Sequence, residues 1–270
     1  MECNNISPVL EISKLSVSAW KTILLQDISL QLHAGEILAI IGPNGAGKTS
    51  LLKAVVGDLP LDKGNVRACN FDLSTRRHDI KANRQLAKRL AMLPQLSLLN
   101  FPYRVEEVVE LGRAPHDSGL QQDKDIVAQS LTAMDITHLR GRLYTRLSGG
   151  EKQRVQLARV MTQIWRAVDA QPRLLLLDEP TSSLDLGHQQ QLMQAIRDFA
   201  TQGVAIVMVL HDINLAARNA DRVLALQQGR MIGFGPPSKI INAKLIQQLF
   251  DVDLTQNNDS NKTKPIALEI

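Results

Sequence analysis

Gly42-Pro43-Asn44-Gly45-Ala46-Gly47-Lys48-Thr49 fits the pattern G-x-x-x-x-G-K-[ST] without a mismatch, and its surroundings are those the pattern requires. Residues 36–41 (EILAII) form a compact apolar run that ends at Gly42. Residues 49–59 then place Leu51, Leu52, Val55, Val56 and Leu59 on one helical face. Strand, glycine-rich loop and helix in that order make a phosphate cradle. The glycines let backbone N–H groups turn inward around a β-phosphate without Cβ clashes. The helix that follows offers its positive N-terminal end to the same anion. Lys48 reaches the β- and γ-phosphates as a point charge, and the Thr49 hydroxyl can ligate Mg²⁺. Residues 42–49 together with Ser50 are therefore the expected ATP-binding segment, with ATP and Mg²⁺ as cofactors.

Outward from the cradle, further apolar runs stand at 173–177, 204–210 and 223–226. Runs that are apolar on both faces suit central strands covered by helices on both sides. Helical patterns separate them, so the expected fold is α/β with a largely parallel core. Residues 9–17 and 28–32 alternate apolar and polar, which reads as an antiparallel β portion with one wet face. From about 96 to 165 the pattern is helix after helix (105–111, 124–134 and 150–165), read as a helical subdomain inserted into the core. One domain is expected over residues 9–254, between a tail at 1–8 and a polar, disordered tail at 255–270.

The run at 174–177 ends in Asp178-Glu179-Pro180. Carboxylates at the carboxyl end of a buried parallel strand lie where open α/β sheets bind ligands. Asp178 can hold the Mg²⁺, and Glu179 can polarise an attacking water as a general base. His211 follows the run at 204–210, again at a carboxyl end, and is assigned a γ-phosphate contact.

Composition narrows the function. The chain has 270 residues, a net charge of +4 and 3% aromatic residues, too few rings for a base-stacking platform. Two cysteines, Cys3 and Cys69, share no short spacing, which excludes a disulfide framework or a cysteine zinc site. The longest apolar run falls far short of the ~20 residues that cross a bilayer, and the first residues lack a basic start followed by an apolar stretch. A cytosolic chain is expected. Arg76, Arg77, Lys81, Arg84, Lys88 and Arg89 form a basic stripe that is read as a solvated helix face, and no nucleic acid is expected as a partner.

Leu147-Ser148-Gly149-Gly150-Glu151-Lys152-Gln153-Arg154 resembles the signature motif of ABC ATPases, a more specific mark than the cradle alone. Gln95 falls where that family has its Q-loop glutamine and would join Thr49 and Asp178 at the metal. Ser183-Leu184-Asp185 resembles its D-loop, and His211 its switch histidine. The resemblance implies a P-loop core with an antiparallel β subdomain and an inserted helical subdomain. It also implies a homodimer in which Ser148, Gly149, Gly150 and Glu151 of one copy close over the ATP of the other. Physically, a serine hydroxyl and glycine N–H groups at a helix start make a second phosphate-binding end. Where the family has an aromatic residue stacking on adenine, this chain has Ala19 with Trp20 beside it, and Trp20 is the candidate.

Residues 100–113 (NFPYRVEEVVELGR) resemble the segment after the Q-loop in importers of iron chelates, cobalamin and haem. Within that group, 111–116 (LGRAPH), 142–146 (RLYTR), 155–159 (VQLAR) with Gln163 and Trp165, and 185–189 (DLGHQ) resemble the ATPases of bacterial haem importers. The resemblance implies an ATPase peripheral to the cytoplasmic face of the inner membrane, two permease subunits, and a periplasmic haem-binding protein reached through them. A siderophore or cobalamin importer is the nearer alternative. A soluble ABC ATPase acting on nucleic acid or ribosomes is the remoter one, because such proteins usually carry two cassettes or a long coiled coil. A P-loop kinase would leave the signature and Glu179 unexplained. The apolar residues Val105, Val108, Val109 and Leu111 are the expected docking face for a permease helix, with packing inside the helical subdomain as the plain alternative reading, and the two are compatible. His116 and His188 are read as contacts or surface residues rather than haem ligands.

Overall fold

The computed structural model describes residues 7–20, 22–74, 79–95, 99–166 and 171–250. Arg76, Arg77, residues 1–6 of the expected first tail and all of the expected tail at 255–270 lie outside these. In chain order the first half forms β1 (Leu10–Ala19), β2 (Thr22–Leu32), β3 (Ile37–Ile41), α1 (Lys48–Val56), β4 (Lys63–Ala68), β5 (Phe71–Asp72), α2 (Ile80–Ala87), β6 (Leu90–Leu93) and α3 (Val105–Glu110). The second half forms α4 (Leu120–Ala133), α5 (Gly149–Gln163), β7 (Arg173–Asp178), α6 (Leu186–Thr201), β8 (Val204–Val209), α7 (Ile213–Asn219), β9 (Arg222–Gln227), β10 (Arg230–Gly235), α8 (Pro237–Ile240) and α9 (Ala243–Phe250).

The four doubly apolar runs become the middle of a six-stranded sheet of order β10-β9-β3-β8-β7-β6. Its strands from β9 to β6 are parallel, and β10 returns antiparallel to β9. Period-two alternation sends Ile37, Ala39, Leu175, Leu177, Ile206 and Met208 to one face, where they pack with apolar residues of α3, α4, α5 and α6. Leu38, Ile40, Leu174, Leu176, Val207 and Leu224 point to the other face. There they meet α1 and a four-stranded antiparallel sheet, β2-β1-β4-β5, through Leu15, Val17, Leu25 and Ile28. Each such valine, leucine, isoleucine or methionine side chain contributes about 2 kcal/mol by leaving water, which is why runs apolar on both faces hold the centre. The α/β expectation, with an antiparallel β portion, is met.

Several boundaries move for local reasons. The helix expected to reach residue 59 stops at Val56, because Gly57 takes a left-handed conformation (φ 79°) and turns its N–H back onto the Lys53 and Ala54 carbonyls. The helix expected at 105–111 tightens into a 3₁₀ turn, Leu111–Arg113. Gly112 is pressed on α5 there; a Cβ would sit 2.2 Å from the Arg159 carbonyl oxygen. Strand β6, with only four residues, was not foreseen.

Of the two readings of the 105–111 face, the structure shows the packing one for three of its four residues. Val105, Val108 and Val109 are fully buried in the core, and only Leu111 among the four is exposed. Phe101 and Tyr103, earlier in the same segment, are exposed as well. Among the described residues, no helix is long and apolar enough to cross a membrane.

Candidate nucleotide site

Three neighbouring strands deliver the site. β3 ends in the loop at 42–47, β8 beside it leads through Leu210 to His211, and β7 beyond ends in Asp178 and Glu179. Their carboxyl ends open on a cleft of about 740 Å³ lined by Thr22, Ile23 and Leu24, by residues 44–50, and by Gln95, Glu179, His211, Gln228 and Gly229.

The loop's shape requires glycine at two points. Gly42 has φ 150°, and a Cβ there would meet the Leu226 carbonyl oxygen at 2.1 Å. Gly47, at φ 99°, caps α1, and a Cβ there would meet the Leu24 carbonyl oxygen at 2.7 Å. Lys48 is buried, and its Nζ donates to the carbonyls of Gly42 (2.8 Å) and Pro43 (2.9 Å). Burial pushes the ammonium's pKa down, while Glu179 and Asp178 pull it back up. A cation held at this point by weak acceptors is ready to transfer to phosphate oxygens.

Asp178 is 1% exposed; the Thr49 hydroxyl lies close to its carboxylate, but among the described residues neither oxygen has a hydrogen bond of ordinary geometry. Burial raises its pKa; the adjacent Thr49 hydroxyl lowers it, Glu179 raises it again, and Lys48 and Lys53 lower it. An orphaned buried carboxylate beside a threonine hydroxyl is a hard-oxygen deficit of the kind a magnesium ion fills. The residues present therefore fit that ion.

Glu179 occupies left-handed backbone space at φ 52°, a conformation that costs a non-glycine residue of order 1–2 kcal/mol. Its carboxylate is bridged on both sides. Gln95 Nε2 donates to Oε2 at 2.9 Å, and His211 Nε2 lies 2.6 Å from Oε1. The Gln95 amide thus faces Glu179 rather than Asp178.

Trp20 stands 99% exposed at the β1–β2 turn and is not part of the cleft wall. The apolar position at the cleft mouth is taken by Ile23, 60% exposed. Sequence reasoning also missed Gln228 and Gly229. Gly229 N–H donates to the Ala46 carbonyl at 3.0 Å, and a Cβ at Gly229 would meet the Leu24 carbonyl oxygen at 2.6 Å. The only signal was a Gln-Gly pair between two apolar runs.

The signature residues lie apart from the cleft. Ser148 caps α5: its hydroxyl accepts from Glu151 N–H (3.3 Å), and the Glu151 carboxylate accepts from Ser148 N–H (2.7 Å). That reciprocal pair holds Glu151's carboxyl below the usual range. Ser148 and Gly149 are exposed, and none of residues 148–151 lines the cleft. Gly150 packs beside Ser183, where a Cβ would approach the carbonyl oxygen to 3.2 Å. Asp185 caps α6 by accepting from His188 N–H at 2.8 Å, with His188 Nδ1 also at 2.8 Å. His116 sits against the Gln163 carbonyl at 2.7 Å. Both histidines thus have ordinary protein partners.

A phosphate cradle on β3, an orphaned aspartate on β7 and a bridged glutamate after it define a P-loop nucleotide-binding protein. Residues 25–182 match the ABC transporter family. The chain is 43% identical to the hemin import ATP-binding protein HmuV of Pseudomonas fluorescens (strain Pf0-1), covering 96% of this chain and 99% of that one. It is 46% identical to the protein of the same name from Gloeobacter violaceus, covering 84% and 82%. Its fold matches cbiO1 from Clostridium perfringens, part of the ABC transporter complex cbiONQ, with a TM-score of 0.73 at 25% identity over 89% and 93% of the chains. A dimeric ATP-binding cassette in a post-hydrolysis state, bound to ADP and Pi, shares the fold at 20% identity (TM-score 0.74, 84% and 98%). The chain belongs to the ABC transporter family, as one of its ATP-binding, ATP-hydrolysing subunits.

Proposed function

We propose that this chain powers hemin import through a separate membrane permease. The observation that carries the reading is a likeness of 43% to 45% along nearly the whole length of hemin import ATP-binding proteins. The assembly is a homodimer on two permease subunits at the cytoplasmic face of the bacterial inner membrane. A periplasmic haem-binding protein supplies cargo from the other side.

Within each site, Lys48 and the N–H groups of residues 42–50 hold the β- and γ-phosphates of ATP. Thr49, Asp178 and the side-chain oxygen of Gln95, released from Glu179, would hold Mg²⁺, which would supply neutralisation of charge on the transferring phosphoryl group. Glu179 accepts the proton of the attacking water, and His211, leaving Glu179 Oε1, contacts the γ-phosphate. Ser148, Gly149, Gly150 and Glu151 serve the opposite copy's ATP; the exposure of Ser148 and Gly149, and the fact that none of the four lines its own cleft, support that role. Asp185 lies in the turn next to the signature end and faces the same interface. Trp20 stacks on the base when the β1–β2 turn folds over it, with Ile23 at the mouth.

The test is uptake into liposomes holding the permease, with binding protein loaded in turn with hemin, a ferric siderophore and cobalamin. Hemin-dependent ATPase stimulation and uptake are expected. Stimulation by another chelate alone would replace the cargo, and absence of any coupling would return the chain to a soluble role.

A further inference from the structure

The carboxyl end of α4, the middle of α5 and the middle of α6 meet around a cavity of about 260 Å³, and none of its wall residues lines the nucleotide cleft. Met134, Leu192 and Ala195 make much of the wall apolar. The cation in it is Arg154, 8% exposed. Among the described residues its guanidinium makes one hydrogen bond, from Nη1 to the Asp135 carbonyl at 3.2 Å, and the buried Nε has no acceptor. The Asp135 carboxylate stays 3.9 Å from Nη1 and is largely exposed.

Local backbone explains the shortfall. Asp135 takes left-handed space (φ 52°) at the end of α4, and Ile136 N–H turns back onto the Leu131 carbonyl at 2.9 Å. That turn presents the Asp135 carbonyl to the guanidinium and leaves its carboxylate toward water. A guanidinium keeps its charge when buried, and its N–H groups are costly to leave unmet. The cavity wall therefore carries a demand for a further acceptor.

We propose that this cavity binds a small monocarboxylate with an apolar tail, its carboxylate seated on Arg154 and its tail against Met134, Leu192 and Ala195. A planar carboxylate matches the guanidinium edge as a two-pronged acceptor. The volume lies below the ~300–1,000 Å³ of drug-sized pockets, which keeps the tail short. Asp135 and Asp198 also stand in the wall, and Asp198 takes a hydrogen bond from the neutral Gln194 amide at 2.8 Å. Two carboxylates so placed oppose a doubly charged head such as phosphate more than a singly charged one. The bound molecule joins α5, which begins at the Ser148 cap, to α6, which Asp185 caps. The proposal is independent of what the permease carries.

The test uses the full chain with its nucleotide cleft filled by ADP and Mg²⁺, hexanoate as the probe, and isotope-labelled methionine methyl groups observed by NMR. Saturable binding that shifts the Met134 methyl signal, identified by its loss in Met134→Leu, is expected. Acetate, 1-hexanol and hexylamine should each bind on the order of tenfold more weakly or worse, because they lack the tail, the charge or its sign. Arg154→Met should weaken hexanoate binding by a similar factor. Ala195→Phe, which fills the cavity from α6, should abolish the shift while ADP binding stays unchanged, and it decides the matter if Arg154→Met fails to fold. Binding that does not saturate, equal binding of 1-hexanol, or hexanoate binding that Arg154→Met or Ala195→Phe leaves untouched would overturn the proposal.

Discussion

His211 Nε2 and Glu179 Oε1 lie 2.6 Å apart, although they come from the ends of neighbouring strands and are 32 residues apart in sequence. With Gln95 on the other oxygen, Glu179 is held as an acceptor between two side chains. Any water that replaces either partner inherits a position against a carboxylate already aimed into the cleft.

Glu179→Gln should therefore leave ATP binding intact and lower turnover by about a hundredfold or more, the usual contribution of a positioned general base. Nucleotide binding by fluorescence and steady-state phosphate release would check it. Near-normal turnover in the variant would remove Glu179 from the proton transfer.

Ser148→Arg tests the second role. Its bulk falls on an exposed helix start away from the chain's own cleft, so ATP affinity of the subunit should not change while hydrolysis is lost. Mixing it with Glu179→Gln subunits should rebuild one intact site per mixed dimer, from Glu179 of one chain and Ser148 of the other, and so recover part of the activity. Normal hydrolysis by Ser148→Arg would exclude the composite site.

The stability of the nucleotide-free protein should carry the mark of Asp178. Its folded pKa is raised by burial, so between the ordinary aspartate value and the raised one the native state binds more protons than the unfolded chain. Stability then falls as pH rises through that window and stays reduced above it. Asp178→Asn should flatten this decline in melting temperature from acid to neutral pH. The same change should abolish stabilisation by Mg²⁺ with ATP. A wild-type melting temperature that rises across the window in step with Asp178→Asn would contradict the assignment.

The glycines of the cradle are not equivalent. Gly42→Ala meets a backbone oxygen at 2.1 Å and should cost about 3 kcal/mol or more. Gly45, at φ 77°, has nothing within 4 Å of a Cβ, so Gly45→Ala should cost only about 1 kcal/mol of backbone strain. Urea unfolding of both variants would separate them, and equal losses would mean that the loop relaxes freely.

The parts of this molecule that were legible in sequence share one property: their signal is local. The cradle at 42–49 and the strands at 173–177 and 204–210 each declare themselves within a few residues, because glycine spacing and doubly apolar runs reflect constraints acting on that segment alone. What escaped depends on partners distant in the chain. Val105, Val108 and Val109 look like a free apolar face until α5 covers them. Leu90–Leu93 is too short to read as a strand and becomes one by pairing with β7. Gly229 enters the site because the β9–β10 turn passes beside Leu24, about two hundred residues earlier, and no spacing rule links those positions. Trp20, the nearest ring in sequence to the expected aromatic position, is 99% exposed, and the described cleft wall carries Ile23 there instead.

The strand order has a consequence for how such a site tolerates change. Because β8 lies between β3 and β7, the cradle and Asp178 are two strand spacings apart, about 10 Å by the ordinary interval between hydrogen-bonded strands. That ruler is backbone and does not depend on the length of chain between the strands. More than a hundred residues separate β3 from β7, including all of α3, α4 and α5. Lengthening those connections adds only the slowly growing entropy of a longer loop. The helical half can thus be redrawn to suit a different membrane partner while the phosphate chemistry keeps its gauge.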